Sequence, residues 1–392
     1  MANHPYHGSV IELSRPALRS NLRFLRRRIG KGVRFSSVIK GNAYGHGIEA
    51  FVPMAEACGV RHFCVFSAEE ALRAKRSLTQ KSEILIMGWI EDEAVEWAVE
   101  NGVSFYVFDL QRLEAARHAA SAVGVPAKVH LELETGMNRT GLSGEQLDEA
   151  VDLVGRSEGM LCAEGLCTHL AGAESVGNDH RIRRQLQAFD ASAEDLRAKG
   201  IEPRERHAAC SAAALLYPES IYDLVRIGIA QYGFWPSTEV RMRLVLEGRE
   251  PGDRPRKDPL RRVLRWVSSV MSLKDLPRGE YAGYGTSYLA TKKRRLAAVP
   301  VGYYHGFPRG LSNLGFVLVR GRRAPVVGVV NMNMMLVDVS EIPGVERGDE
   351  VAIIGKQGRS AITLASFGDL ASRLNYEVLV RLPADLKRVI TD

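Results

Sequence analysis

Short apolar runs alternate with amphipathic stretches over the first two-thirds of the chain. The apolar runs are Val33–Ile39, His62–Phe66, Ile84–Met87, Val103–Phe108, Lys128–Leu133, Ala163–Thr168, His207–Cys210 and Leu224–Ile229. They are short and mostly rich in β-branched or aromatic residues, so they read as strands. Apolar positions recur at helical spacing over Pro16–Arg28, Ile48–Cys58, Ala68–Arg76, Asp92–Glu100, Leu110–Val123, Gly144–Gly155 and Arg181–Lys199, with a short last connection around Ser211–Tyr217. Eight such strand-and-helix units in succession are the pattern of a closed parallel barrel, and periodicity leaves an open doubly wound sheet as the alternative.

The stretch from Pro236 to Pro259 breaks this rhythm. It is polar, carries Pro251, Pro255 and Pro259, and reads as a linker with a basic loop. Beyond it come short β-like runs separated by Gly and Pro turns: Arg262–Met271, Arg295–Val301, Phe316–Arg320, Pro325–Val330, Met334–Val339 and Glu350–Ile354. A chain of 392 residues is too long for one ordinary core. The expected architecture is therefore an α/β (β/α)8 TIM barrel over 12–245, a linker over 246–259, and a C-terminal mainly-β domain over 260–392, with residues 1–11 packing against the latter.

Composition changes little in this picture. Hydrophobic residues make up 45% and charged residues 25%, as in ordinary globular chains. The net charge of +7 raises nucleic acid or a membrane surface as partners. The basic residues are dispersed, however, and the densest clusters, Arg26–Arg28 and Arg254 to Arg265, are not interleaved with stacking aromatics. A solvated helix face is expected for the first and a basic surface loop for the second, with neither nucleic acid nor membrane as partner. No apolar run approaches the roughly 20 residues of a membrane span. The N-terminus has no basic start followed by an apolar core, so the expected compartment is the cytoplasm. Cys58, Cys64, Cys162, Cys167 and Cys210 form no CxxC pair. That argues for reduced, buried thiols rather than a disulfide frame, and no metal site is expected.

In parallel barrels catalytic groups gather at the C-terminal ends of the strands. The first strand runs into Lys40, followed by Gly-Asn-Ala-Tyr-Gly-His-Gly. Taken alone, a strand-end lysine more often snorkels to solvent. Burial would instead lower its pKa and make it a nucleophile able to condense with an aldehyde cofactor. The glycines that follow allow close backbone approach, and Tyr44 is placed to hold a phosphate. The fifth strand leads to Arg139, the sixth to His169, the seventh to Ser211 and the eighth contains Arg226. Each is weak evidence alone; Lys, Arg, His, Ser and Arg in register at five strand ends is a stronger signal.

At this point the sequence resembles the alanine racemase family, whose members carry pyridoxal 5'-phosphate (PLP) on an eight-stranded barrel followed by a β domain. The segments that carry the resemblance are VIKGNAYGHG, LETGMNRTGL, LCTHLAGAE, HAACSAAAL, LVRIGIAQYG, GYGTSY, VPVGYYHGFPRG, VVNMNM and LNYEVLVRL, spread from residue 38 to residue 382. The resemblance implies that Lys40 carries PLP and is the base on one face of the substrate. It makes Tyr284 the opposing base, reaching the site from the partner subunit of a homodimer. His169 would interact with Arg226, Arg226 would face the pyridine nitrogen, and Arg139 the phenolic oxygen. Tyr44, Ser211, Gly228, Ile229 and Tyr376 match phosphate-binding positions, and Met332 a backbone N–H that meets the substrate carboxylate.

Racemisation requires a proton to leave one face of Cα and another to arrive on the opposite face, which suits two flanking bases. An arginine at the ring nitrogen does not release its proton, so the full electron sink is not used and side reactions such as transamination are disfavoured.

The match has departures. Where many family members have a lysine that becomes carbamylated and orients the arginine, this chain has Glu132. The GRVxMD sequence reads Gly328-Val-Val-Asn-Met-Asn333, so an entrance arginine is Val329 and the following aspartate Asn333. The entrance aspartate is Glu174, and YxDG reads Tyr303-Tyr-His305-Gly. The expected activity is interconversion of L- and D-alanine, supplying D-alanine for peptidoglycan in a bacterial source. A racemase with another or broader range (serine, lysine) and a non-catalytic PLP-binding protein are the alternatives. Such carriers lack the β domain and the opposing tyrosine. A related decarboxylase would need a cysteine in the C-terminal region, which has none.

Overall fold

The computed structural model describes residues 7–246, 258–364, 366 and 375–392. The chain divides into two compact units. One comprises Pro16–Lys40 and Val52–Arg261; the other comprises Gly41–Phe51, Arg262–Asp392 and the segment ending at Arg15.

The first unit holds an eight-stranded, wholly parallel sheet. Numbering strands along the chain from β1 (Ser9–Ser14), its members are β2 (Arg34–Val38), β3 (His62–Val65), β4 (Glu83–Ile86), β5 (Ser104–Val107), β6 (Ala127–Glu132), β7 (Leu161–Cys167), β8 (Glu205–His207) and β9 (Leu224–Ile227). Each strand pairs with its predecessor up to β8, and β9 pairs with β2. The remaining seam between β8 and β9 is nearly closed, by Asp223 N–H donating to Arg206 O at 3.1 Å and Arg226 N–H to Ala209 O at 2.9 Å. All eight strands expected from the apolar runs are present, and the closed barrel prevails over the open sheet.

Helices follow the strands where the periodicity places them, as in Asp92–Glu100 and Leu110–Val123. The latter begins at Asp109, whose carboxylate accepts from Arg112 N–H, and ends at Gly124 in the left-handed conformation. Phe63 and Phe105 are fully buried. Burying an aromatic of this size stabilises by about 1.5–3 kcal/mol.

The second unit is built on a ten-stranded sheet. Its further strands are β10 (Leu264–Ser269), β11 (Ser272–Leu276), β12 (Arg294–Val299), β13 (Phe316–Val319), β14 (Arg322–Val327), β15 (Met335–Asp338), β16 (Glu350–Gln357), β17 (Ser360–Ile362) and β18 (Lys387–Thr391). The six β runs expected beyond residue 260 all appear. The pattern missed β1, β11, β17 and β18. β1 lies between β10, antiparallel, and β18, parallel. Its Ile11 and Leu13 are fully buried, and Glu12 faces the cross-strand Arg265.

Residues 12–245 are expected together in the barrel. In the structure, the end of β1 and residues 41–51 group with the C-terminal part instead. Most of the expected linker and basic loop lies outside the described residues. Within its described end, Arg265 is a strand residue rather than a loop residue, pairing with Glu12 at 2.8 Å and with Glu350. Nor is the other basic cluster merely solvated: Arg26 donates to Cys58 O and Gly59 O, and Arg28 to Leu215 O. The five cysteines are unbridged, and Cys64 and Cys167 are buried. Among the described residues no helix is long and apolar enough to cross a membrane.

Candidate active site at the barrel mouth

Lys40 follows β2 after one residue, Ile39. The strand end is pinned by Val38 O, which accepts from Gln231 Nε2 at 3.0 Å and from the Tyr232 hydroxyl at 2.9 Å. Solvent reaches the Lys40 side chain. Even so, the surrounding protein desolvates its amine, and Arg139 and Arg226 add positive potential; both lower its pKa below the ordinary lysine value. His169, after β7, is held neutral for the same reasons. Burial first, then Arg226, Arg139 and Lys40, lower its pKa to about 3. The structure thus brings Lys40, Arg139, His169 and Arg226 into one electrostatic group, as the strand ends suggested.

Arg226 is buried and held by backbone oxygens: NH1 donates to His207 O at 3.0 Å, NH2 to Thr168 O at 2.8 Å and to Ala208 O at 3.0 Å. NH1 also meets His207 Nδ1. Among the described residues none of these bonds uses Nε. The side-chain partner of Arg226 is therefore His207, which sequence reasoning missed; toward His169 the Arg226 charge acts only by lowering the pKa of the imidazole. His207 sits within an apolar run, where a histidine gives little signal of function.

Arg139 lies on an exposed loop closed from both sides. Glu134 accepts from Gly136 N–H and, at 2.7 Å, from Asn138 N–H. Glu132, buried at the end of β6, accepts from the Thr140 hydroxyl at 2.8 Å. Burial raises the pKa of Glu132, against the opposing effects of Thr140, Arg139 and Arg226. Its carboxylate thus braces the loop through the neighbour of Arg139. Ser211 Oγ accepts from Gly228 N–H at 2.9 Å, which joins two expected phosphate positions at the starts of short helices, with Ile229 next in line.

In the second unit Gly41, Asn42, Ala43 and Tyr44 form a left-handed turn with φ near +50 to +61°. Such geometry costs roughly 1–2 kcal/mol per non-glycine residue. The turn is tied by Gly47 N–H to Asn42 O at 2.9 Å and Ile48 N–H to the Asn42 side chain at 3.2 Å. A Cβ on Gly45 would lie 2.0 Å from Leu379 O, so only glycine fits there. The turn aims Tyr44 at Tyr376, ring centroids 6.1 Å apart, which unites two more of the expected positions.

Tyr284 and Met332 lie on exposed stretches, 73% and 55% accessible. Met332 O accepts from Tyr304 N–H at 3.0 Å, while among the described residues its own N–H is unused. Of the altered entrance positions, Glu174 and Asn333 are exposed and Val329 is partly buried.

The arrangement suits an anionic aldehyde. The cations Lys40, Arg139 and Arg226 are opposed by Glu132, which both arginines act on, and by Glu70, which acts on Lys40. The same charges predict that neutral amine-reactive reagents label Lys40 of the PLP-free protein with an apparent pKa below that of ordinary lysines. Arg139→Ala removes a cation that disfavours the ammonium, so it should raise that value. Peptide mass spectrometry of labelling rate against pH reads both; an unchanged ordinary value would remove the electrostatic argument.

Two family models match: alanine racemase, N-terminal domain, over residues 13–236, and alanine racemase, C-terminal domain, over residues 263–390. The chain is 35% identical over 386 residues to an alanine racemase of Leptospira interrogans, covering 98% of this chain and 96% of the relative. Among solved structures it resembles an alanine racemase from Streptomyces coelicolor A3(2), with TM-score 0.85, 32% identity and 98% of each chain covered. It also resembles one from Bartonella henselae described with covalently bound pyridoxal phosphate, with TM-score 0.80, 25% identity and coverage of 98% of this chain and 100% of that one.

Proposed function

Because the chain belongs to the alanine racemase family and so interconverts L- and D-alanine, we propose that it does this on PLP held by Lys40, with Lys40 and Tyr284 as the two bases. The family is PLP-dependent. The observation that supports the reading for this chain is the placement of Lys40 just past the end of β2, at the same end of the barrel as the buried guanidinium of Arg226 held by His207 O, Thr168 O and Ala208 O.

Bound PLP supplies the electron withdrawal that makes the substrate Cα–H acidic. The protein does the rest. Arg226 would meet the ring nitrogen of the cofactor, and Arg139 its phenolic oxygen and the substrate. Tyr44, Ser211, Gly228, Ile229 and Tyr376 would hold its phosphate. The Met332 N–H orients the substrate carboxylate. Lys40 Nζ exchanges a proton with one face of Cα and the Tyr284 hydroxyl with the other. Tyr284 comes from the second subunit of a homodimer, which is consistent with its exposure in the single chain.

A chiral product assay with PLP and L-alanine, L-serine or L-lysine tests the reading. D-alanine should form fastest. Faster turnover of serine or lysine would reassign the preference to the altered entrance at Val329, Asn333 and Glu174, and no D-product from any of them would overturn the proposal.

A further inference from the structure

The barrel interior contains more polar machinery than the proposed site uses. A chain of buried side chains runs from Arg226 through His207 and His130 to Glu164. His207 Nε2 lies 2.8 Å from His130 Nδ1, and His130 Nε2 lies 3.8 Å from Glu164 Oε2. Glu164 is tied in turn to the Ser104 hydroxyl at 2.8 Å and to Arg204 at 3.4 Å, with Lys128 at 4.0 Å. The Tyr106 ring covers both histidines, with centroids 6.3 Å from His130 and 5.9 Å from His207. His62, Arg34 and Glu205 complete the surroundings: Arg34 is bound to Glu205 at 2.8 Å, and both His62 and Arg34 act on the charge of His207.

The direction of this chain follows from its ends. A guanidinium can only donate, so His207 Nδ1 accepts and the His207 hydrogen resides on Nε2. That N–H donates to His130 Nδ1, which places the His130 hydrogen on Nε2, the atom nearest Glu164. Burial keeps His207 neutral, so it has the single hydrogen this requires. His130, followed by Ser104, holds the Glu164 carboxyl down to about 2, leaving an anion to end the chain.

The backbone is built around it. β6 and β8 are not neighbours; β7 lies between them. His130 pairs in register with Gly165 of β7, which pairs with Glu205 of β8. A Cβ on Gly165 would fall 1.9 Å from His130 Nδ1. Only the missing side chain lets His130 cross β7 to reach His207.

We propose that His130 and Glu164 are positioning residues for Arg226: through His207 they hold its guanidinium in place to meet the cofactor's ring nitrogen, with Gly165 as the crossing point. The inference rests on the reading of Arg226 as partner of the ring nitrogen. If His130 loses its acceptor, the His207 N–H is left buried without a partner, and the ring relieves that cost by turning away, which takes Nδ1 off the Arg226 guanidinium. Asparagine at 130 places an oxygen near the position of Nδ1 and keeps the acceptor; leucine does not.

The test compares R226K, H130L, H130N and E164L after loading with PLP. It reads the visible absorbance of the bound cofactor, its dissociation constant, kcat and KM for alanine, and thermal unfolding without PLP. H130L is expected to shift the absorbance as R226K does, to weaken PLP retention roughly ten-fold, and to lower kcat more than KM. E164L should act in the same direction with smaller amplitude, and H130N should stay near wild type. A wild-type spectrum and PLP affinity in H130L, or equal perturbation by H130N and H130L, overturns the proposal. If R226K shifts the spectrum and H130L does not, only the relay fails. If R226K itself leaves the spectrum unchanged, the reading of Arg226 fails first. Should H130L not fold, G165A displaces the same ring and the same spectrum decides.

Discussion

Replacing Lys40 by alanine is expected to abolish both racemisation and the visible absorbance of bound PLP. The substitution removes two contributions at once. One is the proposed covalent anchor, an amine whose basicity is lowered by desolvation and by the cations Arg139 and Arg226. The other is the proposed base on one face of Cα, and a positioned base alone contributes roughly 10²–10⁴-fold. The expected fall in kcat is therefore at or beyond the upper end of that range. Borohydride treatment of the loaded wild type should fix the cofactor onto the peptide containing residue 40, and that labelled peptide should be missing from K40A. Because Lys40 is solvent-accessible at the barrel mouth, the variant should fold, with far-UV dichroism and unfolding of the PLP-free protein close to wild type. Retained absorbance and activity in a folded K40A would remove Lys40 from the chemistry.

The barrel was legible because its strands are buried on both faces and so appear as unbroken apolar runs, while the intervening helices bury one stripe and keep a 3.6-residue period. The missed strands lack that contrast. β11 is mostly exposed, with only Leu276 buried, and β18 is exposed or partly buried along its whole length. β1 does carry a readable alternation, Ile11 and Leu13 inward around Glu12, but its partners lie some 250 residues away in β10 and 380 in β18. Such partners are a tertiary fact that no local pattern contains.

The same limit divides the site. Lys40, Arg139, His169 and Arg226 could be found because all lie at one kind of place, the carboxyl end of a parallel strand. His207 and His130 could not, because histidines inside a strand look like any other buried residue until the register shows them meeting over Gly165. The left-handed turn after Lys40 was legible only in part. Its glycines at 41, 45 and 47 announce positive φ, but Asn42, Ala43 and Tyr44 share it, and nothing in their identities requires that.

Tyr284→Phe is expected to separate the two halves of the reaction. The change removes one oxygen from a side chain that is 73% exposed in the single chain, so folding and PLP binding should be preserved. The hydroxyl is the proposed proton carrier on the face opposite Lys40. Loss of Cα deuterium to solvent should therefore continue from one enantiomer and slow by roughly 10²–10⁴-fold from the other, with racemisation slowed as much, since it needs both faces. Equal, wild-type washout from both enantiomers would exclude the role. The exposure of Tyr284 also bears on where it acts. If each site takes Lys40 from one subunit and Tyr284 from the other, mixing Lys40→Ala and Tyr284→Phe subunits concentrates both defects in one site of every mixed dimer and leaves the second site intact. Random exchange makes half the dimers mixed, so about a quarter of wild-type activity should return from two parents that have almost none. Return of no activity, with subunit exchange verified by mass spectrometry, would place both residues in the same chain and assign the exposure of Tyr284 to something other than a shared site.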